Sequence, residues 1–135
     1  MANIFYSKAK EAFVNANINW LSNTIKVVLV DLADYTPNFT TDEFLSDVPV
    51  AARVATSPAL ASKTNVGGVM DAADVTFTLV TGDQSEALLI FVDTGVASTS
   101  RLISYFDVVT GLPVLPNGGD INVVWSNGAS KIQAI

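Results

Sequence analysis

A chain of 135 residues that is half hydrophobic, 15% charged and of net charge −6 can bury one continuous core and is too apolar for a disordered tail. The absence of Cys excludes disulfides, zinc-thiolate sites and cysteine nucleophiles, and the absence of His removes the commonest general base and transition-metal ligand. The basic residues Lys26, Arg53, Lys63, Arg101 and Lys131 are scattered, with only Lys8 and Lys10 close together, so direct nucleic-acid binding and attraction to an anionic membrane are disfavoured. No apolar run approaches the roughly 18 residues of a membrane span, and the start of the chain lacks a signal-peptide pattern. Few charges must cover many apolar side chains, which points to surface buried against a partner.

Residues 3–15 carry Phe5, Ala9, Ala12 and Phe13 at spacings of three and four, with Ala2 before them. This predicts a short N-terminal helix broken at Asn15-Ala16-Asn17. Residues 1–17 are read as a helix or arm, either docked on a neighbour or packed on its own sheet, and residues 18–135 as a single β-rich domain. In Thr24–Leu32, Ile25, Val27 and Leu29 share one strand face and Val28 and Val30 the other. A strand apolar on both faces belongs in the middle of a layered sheet. Thr40-Thr41-Asp42-Glu43 spells a capping box and predicts a minor helical turn near residues 41–46, stopped before Pro49. Further strands are expected over 51–57, 74–80, 86–93, 101–108, 120–125 and 131–135. Gly67-Gly68, Gly82-Asp83, Asn117-Gly118-Gly119 and Asn127-Gly128 punctuate them, the last as a tight hairpin turn. The fold expected is mainly β: an antiparallel β-sandwich or open barrel with a short N-terminal helix.

Asp93-Thr94-Gly95 after the apolar run Leu89–Val92 resembles the active-site tripeptide of retropepsin-like aspartic proteases, in which two carboxylates share a proton across a homodimer. That family places the tripeptide near its N-terminus with an apolar-apolar-Gly segment far downstream, and neither condition is met here. The alternative is a turn in which Asp93 accepts backbone N–H bonds and Gly95 takes positive φ. Ser7-Lys8-Ala9-Lys10 matches S-x-x-K without its partner motifs. Asp71, Asp74 and Asp83 raise the question of a Ca²⁺ site, but without EF-hand spacing they read as turn residues, and no metal or cofactor is expected. Trp20, Trp125, Phe91, Tyr105 and Phe106 read as core.

Several longer stretches carry a family likeness: Lys8–Phe13 with Ile18-Asn19-Trp20-Leu21, Thr24–Asp31 with Ala33–Thr36, Ala52–Ser57, Ala73–Phe77, Thr81–Glu86, Gly111–Val114 and Pro116–Ile121. In these the chain resembles small virion structural proteins of tailed bacteriophages. The resemblance implies a non-enzymatic capsid decoration (cement) protein on the outer capsid surface, partnered by the major capsid protein and by itself as a dimer or trimer. A tail or adaptor protein is the alternative, and a homodimeric protease using Asp93 is the third. The resemblance carries no catalytic residues. Interface energy concentrates in aromatic and Arg anchors, which makes Arg53 and Arg101, the only arginines, the candidate interface residues.

Overall fold

The structure, a computed structural model, describes residues 3–129 and 131–135. Ten strands alternate with one α-helix and three 3-10 turns: β1 (Ile4–Phe5), α1 (Ser7–Val14), β2 (Ile25–Val30), β3 (Arg53–Thr56), β4 (Thr64–Val66), β5 (Val69–Asp71), β6 (Val75–Phe77), β7 (Ala87–Val92), β8 (Leu102–Phe106), β9 (Ile121–Val123) and β10 (Gln133–Ala134). Every strand pair is antiparallel. Strand content, at 31% against 13% helical, makes the fold β-rich, as the period-2 text implies.

The main sheet runs β1-β8-β7-β2-β3, and two small sheets, β10-β5-β4 and β6-β9, accompany it. Among the described residues, neither outer strand of the main sheet has a further partner strand, so the arrangement is open. The register explains the doubly apolar β2. Ile25, Val27 and Leu29 lie opposite Val92, Ile90 and Leu88 of β7, and Val28 and Val30 lie opposite Leu89 and Ala87. Each set occupies one face of the sheet, because side chains alternate along a strand. All of these residues are buried.

One face, continued by Phe106 opposite Leu88, meets the small sheets: the Phe106 and Trp125 rings lie 6.3 Å apart. Trp20 Nε1 donates to the Asp71 carbonyl, and Trp125 Nε1 donates to the Ala73 carbonyl, which ties both indoles to that layer. The other face, continued by Tyr105 opposite Leu89, is covered by the 31–52 loop and α1. Phe39 stands between Tyr105 and Tyr6, at 5.1 and 5.4 Å between centroids.

Three local expectations are corrected. The N-terminal helix begins at Ser7 rather than residue 3, because Ile4 and Phe5 pair with Tyr105 and Ser104 and Tyr6 remains extended. Residues 3–17 therefore lie on the protein's own sheet, with Tyr6, Ala9 and Ala12 buried; residues 1, 2 and 130 lie outside the described residues. The Thr40–Glu43 capping box does not form. Asn38 Oδ1 accepts the N–H groups of Thr40 and Thr41, Asp47 Oδ2 accepts those of Glu43 and Phe44, and the turn is a 3-10 turn at Leu45–Asp47. Asn127-Gly128 is not a hairpin turn, because β9 pairs with β6 and β10 with β5, and neither residue takes positive φ. The tight hairpin is at Gly67-Gly68 between β4 and β5, where φ of +61° and +78° suits a two-residue turn open to glycine.

Candidate interaction surface

Asp93 ends β7 and begins a turn. Its Oδ1 accepts the Gly95 N–H at 3.0 Å, Gly95 has φ +86°, and its Oδ2 meets Lys26 Nζ at 2.7 Å. Lys26 stands one residue into β2, which pairs with β7, so the ion pair follows from the register. The Lys26 ammonium, and then the Gly95 N–H, hold the Asp93 carboxyl below its ordinary range. Both carboxylate oxygens are thus occupied in the manner of a turn residue. Thr94 and Ser100 close the same loop through their hydroxyls.

The two arginines stand apart. Arg53 faces Val30, at the end of β2, and donates from Nε to the Val48 carbonyl at 2.9 Å. Arg101 lies beside Val92, whose partner Ile25 begins β2, so the two sit at opposite ends of that strand. Arg101 pairs with Glu43 Oε2 at 2.9 Å, and its guanidinium lies 5.1 Å from the Phe44 ring centroid. Both side chains are half-buried and engaged with their own chain, in positions that hold the 43–53 loop to the sheet.

Asp71, Asp74 and Asp83 do not converge. Asp71 pairs with Thr64 inside the β4-β5 hairpin, and Asp74 Oδ1 accepts the Trp125 N–H at 2.9 Å. Asp83 instead lies with Asp31 and Asp34, carboxylate oxygens within 4.8 Å of one another. Asp31 Oδ1 is taken by the Ala33 N–H. Sequence spacing hides this cluster, since 31 and 83 meet only through the β2-β7 pairing.

A buried polar chain lies under the 31–52 loop: Tyr6 and Tyr35 share a hydroxyl hydrogen bond of 2.9 Å, and Tyr35 donates to Asp42 Oδ2 at 2.7 Å. Burial pushes both phenols far above their ordinary range.

An apolar groove of about 600 Å³ opens onto the face that carries Leu29, Leu88 and Phe106. Trp125, Val114 and Ile132 form other walls. The volume lies within the range of binding clefts. Val108 and Val124, which also line it, are 62% and 68% exposed. Among the described residues, Lys131 is the only charged one on the groove wall. The groove offers no cluster of acid, base and nucleophile; what it offers is unfilled apolar surface. It arises where residues 107–117 and 124–129, which lie outside the ten strands and join them only through the Ser85–Val114 bridge, meet the main sheet. Strand periodicity cannot foresee it. No protein-family model and no curated protein matches the chain.

Proposed function

We propose that this chain is a non-enzymatic structural component of a tailed-bacteriophage particle, a decoration protein that binds the major capsid protein on the outer capsid surface. The observation that carries the reading is the open apolar groove rimmed by exposed valines, a surface suited to contact with another protein. The phage-like text of the sequence supplies the kind of partner. Asp93, whose carboxylate motif suggested catalysis, spends its carboxylate on Lys26 and Gly95, which supports a turn role. A protein that binds only the assembled shell stabilises it by mass action, and many weak copies act together.

The test is a mass-spectrometric count of this protein against the major capsid protein in purified particles, with heat disruption of particles made with and without it. The expected result is a copy number near that of the capsid subunit and a lower disruption midpoint without the protein. A copy number far lower, with equal midpoints, replaces this reading with a tail or adaptor role. Proteolytic activity abolished by Asp93→Asn overturns the non-enzymatic reading.

A further inference from the structure

Strand β1 is an outer strand of the main sheet, and among the described residues no strand pairs with its far side. Ile4 lies opposite Tyr105 and Phe5 opposite Ser104, and the Tyr6 N–H donates to the Ile103 carbonyl at 3.1 Å. Hydrogen-bonded and non-hydrogen-bonded pairs alternate along an antiparallel ladder, so Ile4–Tyr105 is a bonded pair and Phe5–Ser104 is not. The N–H and C=O of Phe5 therefore point away from β8. An outer strand with unpaired backbone groups is a template for a further strand. Phe5 lines a shallow basin of about 560 Å³, and β10, the outer strand of its own small sheet, forms another wall.

The charge beside this edge is uncommitted. Lys8, Lys26 and Arg101 pair with Glu11, Asp93 and Glu43. Arg53 and Lys63 donate to the carbonyls of Val48 and Asn23. Among the described residues, Lys10 and Lys131 alone form neither kind of contact, and both line the basin. Lys10 belongs to α1, on the face of the main sheet that carries Tyr105. Lys131 leads into β10, whose Gln133 accepts a hydrogen bond from Ser104, on the face that carries Phe106. The two lysines thus flank the free edge of β1 from opposite faces. The basin shares Asn3, Lys131 and Ile132 with the apolar groove, so uncommitted positive charge adjoins uncovered apolar surface.

We propose that an extended acidic segment of the capsid partner adds to β1 as a further strand, its carboxylates meeting Lys10 and Lys131 and its apolar side chains entering the groove. Main-chain bonds to Phe5 supply affinity in such an addition, and the side chains on either face supply specificity. Charge complementarity selects the segment: side chains alternate between the faces of an added strand, so acidic residues at neighbouring positions reach one lysine each. The other outer strand, β3, repels the same segment. Asp34 and Asp83 stand exposed on that side, where the Asp31 N–H donates to the Ala52 carbonyl and Gly82 lies against Val54. This docking rests on the particle role proposed above and assigns to it an edge of the fold and the chemistry of the segment received there.

The test returns the purified full chain to particles made without it and counts bound copies by mass spectrometry against the major capsid protein. The expected result is saturable binding whose dissociation constant rises with salt. K10E/K131E raises that constant by about tenfold or more, and K10Q/K131Q, which only removes charge, raises it by less. K8Q, at a lysine already paired with Glu11, leaves it unchanged. Circular dichroism establishes that each variant is folded. Hydrogen exchange at the Phe5 amide slows in the bound state, as a newly laddered N–H requires. A zero-length carboxyl–amine cross-linker joins Lys10 or Lys131 to an Asp or Glu of the capsid protein. A wild-type chain that does not rebind overturns the particle role, and the docking falls with it. Rebinding that is indifferent to K10E/K131E, or that leaves the Phe5 amide exchanging as in the free chain, overturns the docking on β1 while the particle role stands.

Discussion

Tyr6→Ala tests whether the N-terminal segment belongs to the core. Tyr6 is fully buried between β1 and α1; its ring meets Phe39 and its hydroxyl meets Tyr35. Truncating a large buried aromatic side chain costs about 3–5 kcal/mol in lost transfer energy and cavity. The Tyr35 hydroxyl also loses a buried partner, worth about 1 kcal/mol. Against a total stability of about 5–15 kcal/mol this is a large fraction. With a urea slope near ~2 kcal/mol per M, the unfolding midpoint falls by about 2 M. Urea titration followed by the fluorescence of Trp20 and Trp125, both buried on the far layer, reports the global transition. Tyr6→Phe, which keeps the ring, costs only about 1 kcal/mol. If Tyr6→Ala shifts the midpoint by less than about 0.5 M, residues 3–17 are not part of the cooperative fold, and the arm reading returns.

Other outcomes follow from the side-chain geometry. Asp93→Asn removes the Lys26 ion pair and costs about 1 kcal/mol at neutral pH. Because the folded carboxyl titrates below its unfolded value, this contribution is present above about pH 4 and fades as pH falls through the folded pKa, so wild type and variant converge in acid urea titrations. The two buried phenols have the opposite sign: folded Tyr6 and Tyr35 stay neutral where the unfolded chain ionises, so stability falls as pH rises above about 10. That alkaline loss is smaller in Tyr6→Phe/Tyr35→Phe, measured as urea midpoint against pH; an unchanged slope contradicts it. Arg101→Ala gives up the Glu43 ion pair and the Phe44 ring contact and destabilises by about 1–2 kcal/mol. An unchanged melt with weaker particle binding makes Arg101 an interface anchor instead.

Local pattern determined the strands whose burial is periodic or complete. β2 reads as a central strand because no face of Ile25–Val30 is left polar except at Lys26, β7 reads from its continuous apolar run, and β8 from an apolar run broken only by Ser104. The Asp93-Thr94-Gly95 turn is legible because the bond that closes it, Gly95 N–H to Asp93 Oδ1, spans two residues, and glycine supplies the required φ. β1 was not legible, because two residues carry no period, and their extended form is fixed by the open edge of β8. The Thr40–Glu43 box failed against one distant and one local competitor: Glu43 is drawn to Arg101, 58 residues away, and Asp47, three and four residues on, takes the N–H groups at 43 and 44. The acidic trio, the lysine basin and the groove between irregular segments depend on pairings between residues far apart in the chain, and only the tertiary structure decided them. Composition announced that apolar surface exceeds what charges can cover; where that surface lies is a property of the register and of the loops that leave a face of the sheet unfilled.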